Sequence, residues 1–243
     1  MKDAIVIEEI TKNFKELCAV DHVSLKIKEG EIFGLLGVNG AGKTTLIRML
    51  SCLSRPTSGD AQIMGLSLTK DSAKIKEIIN VSPQETAVAG NLSVKENLEF
   101  IASLYYKDKK IIKEKAEGLI EKFNLGEVAK KRARLLSGGM QRRLSIAMAL
   151  VSDPKILFLD EPTLGLDVIA RKELWNVIKD LKKSITIILT THYMEEAENL
   201  ADRIAIMVKG KLVALGTVKQ LKKQTGESKF EDAFIKIAEG GVL

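Results

Sequence analysis

At 243 residues, 45% apolar and 29% charged, the chain has an ordinary globular composition and enough length to bury one full core, alone or with a subdomain. Its net charge of +6 favours anionic partners in general, yet the basic runs at 107–115 and 130–134 read as solvated faces, with only Tyr105 and Tyr106 beside them to stack on a base. Charge-free runs such as 32–41 and 184–194 are broken by glycine or polar residues, so no span of ~18 apolar residues is expected. The opening Met1-Lys2-Asp3-Ala4 leads into no long apolar region of a signal peptide, and the expectation is a cytosolic chain.

The first thirty residues alternate short apolar runs with turn signals. Val23, Leu25 and Ile27 recur with period two and predict a half-buried antiparallel strand ending at Lys28-Glu29-Gly30. A buried strand follows at 31–36, then a glycine-rich turn and a helix from Thr45 to Leu50. Another strand is expected at 61–64. From about 86 to 150 the texture becomes helical. Ser93 and Glu96 form a capping box that starts a helix at Val94, and Ile112, Ala116, Leu119, Ile120 and Phe123 keep helical spacing. Beyond it come strands at 156–159, 185–189 and 204–208, helices at 169–181 and 195–199, and a hairpin through Lys209-Gly210. Strands alternating with helices predict a mostly parallel sheet. Cys18 and Cys52 lie far apart and outside any metal-binding spacing, so they are read as reduced, buried thiols; His22 is read as structural.

Gly37-Val38-Asn39-Gly40-Ala41-Gly42-Lys43-Thr44 matches the phosphate-binding pattern G-x-x-x-x-G-K-[ST], and its strand-before, helix-after setting is the one that pattern requires. Glycines let consecutive backbone N–H groups turn toward phosphate oxygens, and the helix N-terminus adds partial positive charge. Lys43 is placed to bridge the β- and γ-phosphates and the Thr44 hydroxyl to ligate magnesium. Downstream, the apolar strand Ile156-Leu157-Phe158-Leu159 ends in Asp160-Glu161. Asp160 suits the magnesium side of such a site, and Glu161 suits acceptance of a proton from attacking water. Between the two motifs, Leu136-Ser137-Gly138-Gly139-Met140-Gln141 opens a helix with a hydroxyl and two glycines, a second anion-binding helix start.

With these motifs in order, the chain resembles the ATP-binding subunit of an ABC transporter over essentially its whole length. The resemblance runs through the Walker A loop from Gly37 to Thr45, the Q-loop at Gln84, the signature at Leu136 to Gln141, Walker B at Ile156 to Asp160, the following Glu161, the D-loop Gly165-Leu166-Asp167 and the switch His192. The flank Gly30-Glu31-Ile32-Phe33-Gly34, the extension Met140-Gln141-Arg142-Arg143 and the ending Phe230-Glu231-Asp232-Ala233-Phe234 look most like the ABC-2 exporter branch.

The resemblance implies an α/β fold of the P-loop NTPase type with a mostly parallel core, an N-terminal antiparallel β subdomain and an inserted helical subdomain. The implied division is 1–85 with 151–220 as nucleotide-binding core, 86–150 as signature subdomain and 221–243 as a helical tail. It also implies Mg-ATP as ligand and hydrolysis to ADP and phosphate, with two ATP molecules held in a head-to-tail dimer. Glu161, His192 and Gln84 are the catalytic set. Phe14 and Val20 join Gly37, Asn39, Gly40, Ala41, Gly42, Lys43, Thr44 and Thr45 around the nucleotide. Gly138 and Asp167 are also counted among the nucleotide-binding residues, and Ser137 and Gly139 reach the γ-phosphate of a nucleotide held by a second copy. Thr44, Gln84 and Asp160 serve the magnesium. The implied partners are a separate membrane permease, docked near Ala87, Val88, Leu92 and Leu98, and a second copy or a paralogous subunit, with no nucleic acid, at the cytoplasmic face of the membrane. Met140 stands where many members of the family have Gln, which leaves the serine and glycines of the signature intact. A nucleic-acid- or ribosome-acting ABC ATPase is the alternative reading, disfavoured by the absence of long heptads and of a second cassette.

Overall fold

A computed structural model describes residues 2–182 and 184–240. Its organising strand is β7 (Ile156–Asp160), all five residues of which are buried. Ile156 and Phe158 pack into one apolar cluster and Leu157 and Leu159 into another. A strand covered on both faces reads as a continuous apolar run, and parallel pairing is its usual setting.

In chain order the remaining elements are β1 (Asp3–Phe14), β2 (Leu17–Lys28), β3 (Ile32–Leu36), α1 (Lys43–Leu50), β4 (Ser58–Ile63), β5 (Leu66–Ser67), α2 (Ser72–Ile78) and β6 (Ile79–Ser82). Three longer helices follow, α3 (Val94–Tyr105), α4 (Lys109–Lys122) and α5 (Gly138–Leu150). After β7 come α6 (Val168–Leu181), β8 (Thr186–Thr191), α7 (Met194–Leu200), β9 (Arg203–Val208), β10 (Lys211–Gly216), α8 (Val218–Thr225) and α9 (Phe230–Ala238).

Two sheets result. One is antiparallel with order β2-β1-β4-β5; the other has order β10-β9-β3-β8-β7-β6 and is parallel except for the β9–β10 hairpin. The predicted alternation in β2 holds, with Val23, Leu25 and Ile27 buried and Ser24, Lys26 and Lys28 exposed. Those buried residues meet Phe33 and Leu35 of β3, Leu46 and Ile47 of α1 and Phe158 in a core shared by the two sheets. The helices α3, α4, α5 and α6 cover the opposite face of the parallel sheet. Among the described residues no helix is long and apolar enough to cross a membrane.

The predicted capping box at α3 is present: the Ser93 hydroxyl accepts from Glu96 N at 3.2 Å, and the Glu96 carboxylate accepts from Ser93 N at 2.7 Å. The segment before it is not helical. Residues 86–92 form an irregular loop because Asn97, buried on α3, organises them through its amide, accepting from Ala89 N and donating to the carbonyls of Ala89, Leu92 and Ser93. The C-terminal helices pack into the body, with Phe230, Ala233, Phe234 and Ile237 buried among Leu36, Ile204 and Ile206. The last three residues of the expected tail lie outside the described residues.

Candidate functional site

The sheet order brings the motifs together. β3, β8, β7 and β6 are neighbours with their carboxyl ends on one side, in the register Leu36 beside Thr191, Asp160 beside Thr190 and Ser82 beside Leu159. The chain leaves these four ends as the glycine loop, His192, Glu161 and Gln84. Ligands of open α/β sheets bind at this edge.

A cleft of about 710 Å³ lies there, in the range of small-molecule sites. Phe14, Asn39, Gly40, Ala41, Gly42, Lys43, Thr44, Thr45, Gln84, Glu161 and His192 line it, all residues singled out from the sequence. Two glycines of the loop are dictated by space. A Cβ on Gly37 would lie 2.5 Å from the Met207 carbonyl oxygen, and one on Gly42, whose φ is +100°, 2.4 Å from that of Ala19. The loop is therefore wedged against β9 and the β1–β2 hairpin, and runs directly into α1 at Lys43.

Inside the cleft the charged groups form one connected set. The Lys43 ammonium, 6% exposed, donates to the carbonyls of Gly37 at 2.7 Å and Val38 at 3.3 Å and stands 3.7 Å from Glu161 Oε1. Burial pushes its pKa down, opposed by the Glu161 and Asp160 charges. Glu161 Oε2 meets His192 Nδ1 at 2.9 Å. The hydroxyls of Thr190 and Thr44 donate to Asp160 Oδ1 at 2.5 and 3.2 Å. Glu161 has a left-handed backbone with φ +47°, and its N–H donates to the Thr190 hydroxyl and carbonyl at 3.0 and 3.2 Å. Two carboxylates one residue apart thus do different things: one faces hydroxyls, the other a lysine and a histidine. That arrangement can hold a polyanion and accept a proton beside it.

Other expected residues sit elsewhere. Val20 does not reach the cleft. It is fully buried in the inter-sheet core, whereas Leu17, Cys18 and Ala19 line the wall, because a register shift against β1 between Val23 and Val20 breaks the alternation of Val23, Leu25 and Ile27. Ser137 caps α5, its hydroxyl accepting from Met140 N at 3.3 Å, and Asp167 caps α6, accepting from Ile169 and Ala170 N–H groups that hold its carboxyl below the usual range. A Cβ on Gly139 would lie 3.0 Å from Ala170 Cβ, so these two helix starts adjoin each other, and neither lines the cleft. Of the apolar residues expected to dock a partner, Ala87 is exposed, Val88 and Leu92 are half-buried, and Leu98 is fully buried in the helical core. Cys18 is exposed at the cleft wall, not buried, and Cys52 is half-buried. His22 is an exposed surface residue whose ring meets Asp21 at 2.5 Å.

Reading the sequence missed Leu17, Cys18, Ala19, Leu164 and Lys209 of the cleft wall, and it missed Thr190. The Lys209-Gly210 turn was visible as a hairpin; its place in the site follows from Gly210 N–H donating to Ala41 O and Gly210 O accepting from Asp21 N–H.

Comparison with known proteins places the arrangement in context. Residues 20–164 match the ABC transporter family model. The chain is 40% identical over 236 residues to the probable multidrug ABC transporter ATP-binding protein YbhF of Escherichia coli, covering 95% of this chain but only 41% of that protein. It is also 40% identical over 228 residues to the doxorubicin resistance ATP-binding protein DrrA of Mycobacterium tuberculosis, covering 93% of this chain and 69% of that one. Among solved structures, an ATP-binding cassette in its ADP conformation aligns with TM-score 0.85 and 25% identity over 97% of this chain and 99% of its own. A post-hydrolysis cassette dimer bound to ADP and Pi aligns with TM-score 0.79 and 26% identity over 88% of this chain and 98% of its own.

Proposed function

Because the chain belongs to the ABC transporter family, we propose that it is an ATP-hydrolysing subunit that energises a membrane exporter of the ABC-2 branch. The observation that carries this reading is the connected set Lys43–Glu161–His192, with Thr44 and Thr190 on Asp160, at the mouth of the glycine loop. In this reading the β- and γ-phosphates of ATP lie along the N–H groups of the loop, with Lys43 between them. Phe14, half exposed on the cleft wall, offers a ring face to the adenine. Thr45 extends the phosphate cradle.

Magnesium fits the residues present. Thr44 and Asp160 bring a hydroxyl and a carboxylate to 3.2 Å, hard oxygen donors of the kind the ion takes alongside phosphate and water. Gln84 lines the same cleft and adds an amide oxygen. When bound, the ion neutralises charge on the phosphate oxygens. Glu161 orients water and takes its proton as the water oxygen bonds to the γ-phosphorus and the bond to the ADP oxygen breaks. His192, on the far side of Glu161, holds that carboxylate and faces the γ-phosphate. Phosphoryl transfer leaves the protein mainly positioning and electrostatics to supply.

Ser137, Gly138, Gly139 and Asp167 do not line the chain's own cleft, and in this reading they complete the site of a second copy or a paralogous subunit in a head-to-tail dimer holding two ATP molecules. Such a two-fold interface gives each protomer both halves. A permease docks along the groove lined by Pro83, Ala87, Ile101, Leu104 and Tyr105, beside Gln84. The core of 1–85 with 151–220 and the helical unit of 86–150 then move as separate levers, at the cytoplasmic face of the membrane. YbhF is named for multidrug transport and DrrA for doxorubicin resistance, and a small-molecule drug is the cargo class that fits those names.

Size-exclusion chromatography of Glu161→Gln with and without Mg-ATP tests the reading. The expected result is an ATP-dependent shift from monomer to dimer that Ser137→Arg abolishes, with hydrolysis lowered at least a hundredfold. Hydrolysis at the wild-type rate by Glu161→Gln removes Glu161 from the reaction and overturns the reading.

A further inference from the structure

Arg142 lies on the second turn of α5 and is 4% exposed. Among the described residues it makes no ion pair. Its guanidinium instead donates to four backbone carbonyls from two separate segments: Nε to Pro162 O at 2.9 Å, Nη2 to Asp160 O at 2.8 Å, and Nη1 to Pro83 O and, at 3.4 Å, to Gln84 O. The charges facing it are Asp160, Glu161 and Glu196, and burial lowers its pKa to about 10. A buried cation held by carbonyls alone is an expensive arrangement for a merely structural role.

The two contacts on β7's end flank one residue. Asp160 O and Pro162 O lie on either side of Glu161, whose backbone is left-handed. Side chains rarely adopt that conformation unless their surroundings impose it. Thr190 fixes the Glu161 N–H from the β8 side, and Arg142 fixes both neighbouring carbonyls from the α5 side. The third contact reaches the Pro83-Gln84 turn at the end of β6. The Ser82 and Ser145 hydroxyls, 3.3 Å apart, tie the same turn to α5 one turn further along.

We infer that Arg142 is a positioning residue: it locks the backbone that aims Glu161 and couples it rigidly to the Gln84 turn and to the helix that begins at Ser137. A shift of that turn or that helix is thereby delivered to the Glu161 carboxylate. The inference rests on the hydrolytic role proposed for Glu161. Lysine cannot replace arginine here, because one ammonium cannot span carbonyls on two segments, whereas the planar guanidinium fork does.

The test uses the full chain and compares Arg142→Lys, Arg142→Met and, as a stability control in the antiparallel sheet, Val23→Ala. Steady-state Mg-ATP hydrolysis, affinity for a fluorescent ATP analogue and amide hydrogen exchange are measured on each. The expected result for Arg142→Met is a kcat lower by about a hundredfold, the order for a catalytic group displaced by ~1 Å. Arg142→Lys falls at least tenfold. Both bind the analogue within threefold of wild type, and both exchange faster at 83–88 and at 160–166 together. Val23→Ala keeps its kcat. If Arg142→Met does not fold, Arg142→Lys decides. A folded Arg142→Lys with kcat within twofold of wild type, or with faster exchange in one of the two segments or neither, overturns the inference. A wild-type chain that binds but never hydrolyses ATP overturns the proposed function instead, and the exchange result still decides whether Arg142 joins the two segments.

Discussion

Thr190→Val replaces a hydroxyl by a methyl of nearly the same shape at a fully buried position of β8. The hydroxyl has two bonds, donating to Asp160 Oδ1 at 2.5 Å and accepting from Glu161 N at 3.0 Å. The first is charge-assisted and contributes about 1.5–3 kcal/mol. The second adds little, since the Glu161 N–H keeps the Thr190 carbonyl at 3.2 Å. Asp160 is not stranded, because the Thr44 hydroxyl still donates to it. The expected loss is therefore about 2 kcal/mol, which lowers Tm by about 4–8 °C in a chain of this size. Thr190→Ser keeps the hydroxyl and loses one methyl, at about 1 kcal/mol. Differential scanning calorimetry at neutral pH reads both. A valine variant as stable as wild type, or a serine variant less stable than the valine one, would refute the assignment of this stability to the Thr190–Asp160 bond.

Two further outcomes follow from burial. Glu196 accepts from Thr163 Oγ1 at 2.8 Å and Trp175 Nε1 at 3.3 Å, yet among the described residues its other oxygen lies within hydrogen-bond geometry of no donor, and burial raises its pKa above 4.5 against the pull of nearby hydroxyls. A carboxyl that holds its proton more tightly when folded contributes stability below about pH 4.5 that is lost as pH rises through the folded value. Glu196→Gln is therefore stabilised relative to wild type at pH 8, with a smaller gain at pH 4, in paired thermal melts; a pH-independent difference contradicts the cause. Leu98→Ala loses about 3 kcal/mol as a core cavity, whereas Leu104→Ala, at a residue 67% exposed, leaves Tm within about 1 °C. Equal melting of the two variants would mean that Leu98 is a surface residue after all.

What could be read from the sequence was chemistry tied to fixed spacing. The glycine loop, Asp160-Glu161 and His192 declare themselves because a strand must end where a ligand begins. β3, β7 and β8 declare themselves because strands covered on both faces are continuously apolar. What escaped depends on register or on backbone atoms. Thr190 matters only because β8 lies beside β7 with Thr190 opposite Asp160. Arg142 was visible in the extension Met140-Gln141-Arg142-Arg143 of the signature, but its partners are carbonyls, which every residue carries. Val20 and Cys18 were misplaced because β1 and β2 shift register near their hairpin, between Ile10 and Lys12 and again between Lys12 and Asn13, which breaks the alternation of Val23, Leu25 and Ile27 and buries Val20 instead.

The sheet order also bears on how the molecule is made. β3 pairs on one side with β8 and on the other with β9, so Leu36 must find Thr191 and Ile206. A chain emerging from a ribosome at roughly 5–20 residues per second carries the glycine loop for roughly 7–30 seconds before either partner strand exists. During that interval the Phe33–Leu36 edge is apolar, unpaired on both sides and open to wrong strands. Non-local parallel pairing is slow even once the whole chain is present. Newly made molecules should thus gain the antiparallel hairpin early and ATP binding last, and nucleotide in the cell would capture only chains whose synthesis has passed β9.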